Sequence, residues 1–237
     1  VPDPTAKWYD LIYALDGKDY RSETTELVNL VDQHAPLASS LLDVACGTGR
    51  HLELLSDRFD DLAGIDLSPE MLEIAATRLG SIPLYRADMC EMDLGRRFDV
   101  ITCLFSAIGH LPDTEALHQT VARFTEHLEP GGLIIIDGWV TPDRWEDGRC
   151  GVITGSIEGG HLARAARVSS RGRISMIDFH YLHITADAIE HLEEHIELTM
   201  FTEDDYRAAF TASGMSMEVV ASPMPERDRY LGVKNGY

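Results

Sequence analysis

The sequence predicts an α/β protein: a doubly wound parallel sheet with a C-terminal antiparallel hairpin, plus an appended small antiparallel sheet. Three observations carry this prediction. Residues 41–50 read Leu-Leu-Asp-Val-Ala-Cys-Gly-Thr-Gly-Arg, a buried strand running into a glycine-rich turn, and a helical pattern follows from His51 to Phe59. Strand, tight loop and helix N-terminus in that order form the first βα unit of a nucleotide-binding α/β fold. Strands and helices then alternate as far as Asp137, which implies parallel pairing through crossover helices. Beyond Asp137 the rhythm changes to alternating stretches separated by Glu158-Gly159-Gly160 and Arg171-Gly172, the pattern of antiparallel hairpins.

Each element has its own local reason. After Pro2 and Pro4, Trp8-Tyr9-Asp10-Leu11-Ile12-Tyr13 forms a short amphipathic helix ended by Gly17. It either packs on the sheet edge through Trp8, Leu11 and Ile12 or covers a ligand site as a lid. Leu27, Leu30 and Val31 at i, i+3 and i+4 mark a helix over 21–35 that Pro36 stops. Strand 40–45 leads to Gly47 and Gly49, where the backbone can take positive φ or approach a ligand closely. Strand 61–66 ends in Asp66, a carboxylate placed to accept two ribose hydroxyls. Ser68 caps the next helix, with Pro69 at its first position. The short strand 82–86 leads to Asp88-Met89, where the acid either accepts the amine of an adenine ring or caps a turn. Strand 98–105 runs into Ser106-Ala107-Ile108-Gly109-His110-Leu111, which puts His110 near the cleft expected at the C-terminal strand ends, in a structural or a functional role. Helix 113–128 ends in the break Glu129-Pro130-Gly131-Gly132, and strand 133–137 follows. Four antiparallel strands fill 150–200. Thr202, with Glu203 and Asp204 behind it, starts a helix over 203–213 that Gly214 ends. Strands near 215–221 and 229–234 form the hairpin.

Composition narrows the function classes. The chain has 237 residues, with 20 Lys and Arg against 40 Asp and Glu, a formal net charge of −20. Such a surface repels nucleic acid and anionic membrane, so neither is an expected partner. There is no apolar run of about 18 residues and no signal-peptide pattern. The four cysteines form no Cys-x-x-Cys pair, and we expect free thiols in a cytoplasmic protein. No metal site is expected: the histidines are scattered, and His180 and His183 fall on opposite faces of a strand. Between Asp143 and Arg173 there are six Arg and four acids, a local excess of positive charge. These Arg either hold an anionic substrate or guard exposed strand edges. The appended strands also offer a surface for a homodimer.

The run from Asp43 to Gly49 resembles the first motif of class I S-adenosylmethionine (SAM) methyltransferases. The third glycine of the dinucleotide pattern is replaced by Leu52, which disfavours a nicotinamide oxidoreductase. More of the chain is similar to the bacterial TDP-aminosugar N-methyltransferases. The matching runs are Gly17-Lys18-Asp19-Tyr20, Phe105-Ser106-Ala107-Ile108-Gly109-His110-Leu111, Glu126-His127-Leu128-Glu129-Pro130-Gly131-Gly132 and Tyr206-Arg207-Ala208-Ala209-Phe210. The resemblance implies SAM-dependent methyl transfer to the amine of a TDP-linked aminosugar. It implies a cofactor site at Tyr20, Asp43, Ala45, Gly47, Asp66, Leu67, Asp88, Met89 and Leu104, with no metal. Tyr9 and His110 would lie at the reacting amine, and Asp137, Trp139 and Arg227, with Arg229 as the alternative, would contact substrate. Residues 1–140 and 199–237 would form the cofactor unit, and 141–198 an insertion for substrate binding or dimerisation. Two stretches depart from the family: Asp137-Gly138-Trp139-Val140 replaces Glu-Pro-Trp-Trp, and Glu226-Arg227-Asp228-Arg229 replaces Gly-Arg-Gly. A different small-molecule amine or hydroxyl acceptor, or a SAM-binding protein without catalysis, are the other readings.

Overall fold

The computed structural model describes residues 5–222, 224 and 226–234; Pro2 and Pro4 lie outside them. A 3-10 turn, Ala6–Trp8, runs into α1, Tyr9–Leu15, and α2 follows over Tyr20–His34. The Rossmann-like part then reads β1 Ser40–Val44, α3 Arg50–Leu55, β2 Asp61–Asp66, α4 Pro69–Leu79, β3 Leu84–Arg86, β4 Phe98–Cys103, α5 Thr114–Glu126 and β5 Leu128–Asp137. Four long strands come next: β6 Cys150–Ile157, β7 Gly160–Arg171, β8 Ile174–Thr185 and β9 Ile189–Thr199. The chain then forms α6 Glu203–Ala212, β10 Met215–Ala221 and β11 Asp228–Lys234.

The main sheet has seven strands in the order β10-β11-β5-β4-β1-β2-β3. β1 to β5 are parallel, and β11 runs against both β5 and β10. Strand side chains alternate between faces, so Leu41, Val100 and Ile135 meet Leu27 and Val31 of α2 and Leu52 of α3. Leu42, Ile101 and Ile134 on the other face meet Val121 and Phe124 of α5 and Phe210 of α6. Both faces of the parallel strands are thus dry, which is why they read as near-continuous apolar runs. The second sheet, β6-β7-β8-β9, is antiparallel throughout. Its inner face joins Trp8, Ile12 and Trp139 in a third core that ties α1 to the second sheet and to the segment that follows β5. Among the described residues no helix is long and apolar enough to cross a membrane.

The structure moves several expected boundaries. β5 begins at Leu128, five residues before the expected start, and Pro130-Gly131-Gly132 lies within the strand. Gly131 takes φ +80°, and the register with β4 shifts between Phe98 and Val100, so the expected break is an irregularity inside a ladder. β4 stops at Cys103 because Phe105 and Ser106 both take positive φ (53° and 62°) and turn the chain into a 3-10 helix, Ala107–His110. α3 ends at Leu55, short of Phe59.

Candidate functional site

A cavity of about 1170 Å³ lies at the C-terminal ends of the parallel strands and under the second sheet. Its floor is the end of β1 and β2 with the loops behind them, where Ala45, Gly47, Asp66, Leu67, Asp88 and Met89 line it. Tyr9, Ile12 and Tyr13 of α1 form one wall. Arg164, Phe179, Tyr181 and Glu194 of the second sheet form another, and His110, Leu104, Trp139 and Arg227 lie between them.

The floor is shaped by backbone that side chains disfavour. Ala45, Gly47 and Gly49 all take positive φ, at 56°, 55° and 78°. A non-glycine residue in that region stores strain that the surroundings must hold. Asp66 supplies part of that hold: its carboxylate accepts the Gly47 N–H and the Ser68 N–H, each at 2.8 Å. Burial raises the Asp66 pKa from the usual carboxylate value, and these N–H donors oppose the shift. Above the loop, Asp10 of α1 accepts the Thr48 hydroxyl at 2.6 Å and pairs with Arg78. Helix α1 is therefore fastened to the glycine loop while Trp8 and Ile12 are buried beneath the second sheet. The packing and covering roles fall to the same helix.

His110 lines the cavity and keeps part of its surface open to solvent, while neighbouring protein removes part of its hydration. That desolvation lowers its pKa below the ordinary imidazole value, and Asp66 opposes the shift. Burial pushes the Tyr9 and Tyr13 phenols up, so both remain protonated donors. Tyr9 packs on Tyr13 at 4.7 Å between ring centroids, and Tyr13 on Phe105 at 4.8 Å.

Arg227 sits beside these rings. Its guanidinium lies 4.3 Å from the Trp139 ring centroid and donates to Ser106 Oγ at 3.1 Å. Among the described residues no carboxylate forms an ion pair with it. Trp139 is fixed from behind by a 2.9 Å bond from its Nε1 to Ser175 Oγ.

Four residues expected at the site lie elsewhere. Asp43 is 2 % exposed beneath the loop and accepts the Thr102 hydroxyl at 2.7 Å; burial raises its pKa to about 6. Tyr20 packs edge-on against His51 outside the cavity. Asp137 and Arg229 are opposite each other in the β5–β11 register and bonded at 2.6 Å. The second Asp137 oxygen accepts the Phe105 N–H at 3.0 Å, so the pair is a buried brace that holds the turn after β4, outside the cavity.

The sequence reading missed Phe105, Tyr181 and Glu194, and did not separate Arg164 from the other Arg of its segment. Five of those six pair with acids and do not line the cavity themselves: Arg144 with Asp228, Arg149 with Glu226, Arg167 with Asp178, Arg171 with Glu197 and Arg173 with Asp205. Arg164 alone lines the cavity, paired with Asp16 at 2.9 Å and 4.7 Å from the Phe179 ring centroid. Strand parity carried the missing signal. Leu162 and Arg164 share one face of β7, and Arg167 points the other way.

Two acids at the ends of adjacent strands, a strained glycine loop and one cavity shared between them fit an adenosyl group with an amino-acid tail. The fold and this floor define a SAM-dependent methyltransferase of class I. The family described as a methyltransferase domain matches residues 41–132. The dTDP-3-amino-3,6-dideoxy-alpha-D-glucopyranose N,N-dimethyltransferase of Streptomyces fradiae is 40% identical over 231 residues, 96% of this chain and 90% of its own. The dTDP-3-amino-3,4,6-trideoxy-alpha-D-glucopyranose N,N-dimethyltransferase of Streptomyces venezuelae is 38% identical, covering 95% of each chain. The solved structure of SAM-bound CalS10, an amino pentose methyltransferase of Micromonospora echinaspora, superimposes with a TM-score of 0.89 at 34% identity, over 96% of both chains. The chain belongs to the family of SAM-dependent TDP-aminosugar N,N-dimethyltransferases.

Proposed function

We propose that this enzyme methylates the amine of a TDP-linked aminosugar, with the sugar held between α1 and the second sheet. The single observation that carries the substrate class is Arg227. A half-buried cation without a carboxylate partner among the described residues leaves its charge to be met from the cavity side, and a diphosphate is the anion that meets it and suits a guanidinium fork. Residues 1–140 and 199–237 act as the cofactor unit and 141–198 as the substrate-side insertion, which supplies Arg164, Phe179 and Tyr181 to the cavity.

SAM supplies an electrophilic methyl group on a sulfonium. The protein's work is positioning, exclusion of water and control of one proton. The Ala45–Gly47 backbone takes the methionine part, Asp66 the ribose hydroxyls, and Asp88 and Met89 the adenine. Tyr9 and His110 receive the sugar amine. An amine attacks only through its free lone pair, so the ammonium must lose a proton first. His110, kept neutral near pH 7 by its lowered pKa, accepts that proton. Trp139 and Phe105 bring Arg227 to the diphosphate end.

The test is a mass-spectrometric assay with SAM and a panel of TDP-3-amino and TDP-4-amino sugars. Gain of one or two methyl masses on one sugar supports the reading. Arg227→Ala should then raise KM about 10- to 100-fold, the loss expected for a charged hydrogen bond, with a smaller effect on kcat. An unchanged KM rejects Arg227 as the diphosphate contact.

A further inference from the structure

The face of the second sheet opposite Tyr181 and Glu194 gathers a different set of side chains, of which His180, His191 and Glu193 do not line the cavity. His180 on β8 lies opposite Glu193 on β9, and His191 stands two residues before Glu193 on the same face. The three converge. His180 Nδ1 and His191 Nε2 are 3.0 Å apart. Glu193 Oε1 is 3.6 Å from the first and 3.9 Å from the second. The two rings are close to coplanar, with 11° between their planes. A point equidistant from these three atoms lies about 2 Å from each, the length of a zinc–nitrogen or zinc–oxygen bond.

We propose that His180, His191 and Glu193 bind a divalent transition-metal ion of the zinc class, with its remaining coordination positions open to solvent. Two imidazoles and one carboxylate favour zinc, nickel or copper over calcium or magnesium, which prefer all-oxygen shells. Neighbouring strands hold the ligands, so no loop has to order on binding. The facing nitrogens now share a proton. On binding, that proton moves to the far nitrogen of its ring or to solvent, and both lone pairs turn to the ion. The net charge of −20 favours cation capture.

The site has a structural consequence. β9 is an edge strand, and the residues next to the ligands, Tyr181 and Glu194, point inward, line the cavity and share a 2.6 Å hydrogen bond. An ion on the outer face clamps β9 to β8 at the position of that pair. His195, on the same outer face, is taken by Asp178 at 2.6 Å and serves as the control.

The experiment titrates Zn²⁺ alone into the full chain, without an affinity tag and stripped with chelator, by isothermal titration calorimetry. The expected result is one ion per chain, bound more tightly than about 100 µM. His180→Ala and His191→Ala should each weaken binding at least about 10-fold, and His195→Ala should leave it within about twofold. Co²⁺ in place of zinc should give visible d–d absorption that His191→Ala abolishes. His191→Asn, measured in the same way, replaces any alanine variant that fails to fold. A stoichiometry other than one, binding weaker than this limit, or His180 and His191 variants that bind like the parent chain would overturn the proposal.

Discussion

His110 ends a 3-10 turn that exists because Phe105 and Ser106 accept positive φ. Its place at the cavity therefore depends on backbone strain five residues upstream, held in place by the Asp137–Arg229 brace. Desolvation lowers its pKa from 6.5, so protonation disables it only on the acid side of the ordinary imidazole range. As a base it acts when neutral. Turnover should be flat through neutral pH on account of this group and fall as pH drops through its pKa. His110→Asn should lower kcat roughly 100-fold, within the span of general base catalysis, and remove that acid limb. A variant with the parent's pH profile and kcat would take His110 out of the chemistry. The cavity position of His110 followed from the sequence because it sits just past a parallel strand. That of Asp137 did not, because its partner is 92 residues away and is settled only by the β5–β11 register.

Elements with local signals were legible. Helix α6 starts where Thr202 followed by acids predicts it, and a capping box is present: the Asp205 N–H donates to Thr202 Oγ1 at 3.3 Å, and the Thr202 N–H to Asp205 Oδ2 at 2.7 Å. Thr202→Ala should cost about 1 kcal/mol of unfolding free energy, read from a urea titration with an unchanged slope. No loss beyond the fitting error would mean that packing of Tyr206 and Phe210 alone sets this end. β5 was misread at its start because Pro130, Gly131 and Gly132 carry a strong turn signal. Tertiary pairing overrides it: Leu128 pairs with Phe98 and Leu133 with Val100, so the glycines are spanned by a ladder already anchored on both sides. The second sheet was readable as four hairpin strands, but the count of Arg in it said nothing about which face each one serves. Arg164 and Arg167 differ only in parity, and parity becomes informative once the register with β8 is known.

At the scale of the molecule, acidity and thiol placement have direct readouts. Cys46 and Cys103 are buried and burial pushes their thiols far up, Cys90 is half-buried and raised, and Cys150 is exposed at the start of β6. The thiolate is the reactive form. A disulfide-exchange reagent should therefore release one fast equivalent per native chain and four in denaturant. A second fast equivalent would come from half-buried Cys90, and three or more would show that the floor around the glycine loop opens readily. The seven-stranded sheet has a further consequence, in the timing of assembly. β11 comes after every other described strand in the chain, yet it is an interior strand, wedged between β5 and β10. Until residues 228–234 arrive, β5 is a bare edge, β10 has no partner, and neither Arg229 nor the neighbouring Arg227 is in place. An incomplete chain exposes an apolar strand edge of the kind that seeds aggregation. Closure of the sheet and completion of the Arg227 side of the cavity are thus one late event, and a chain that stalls before it carries neither.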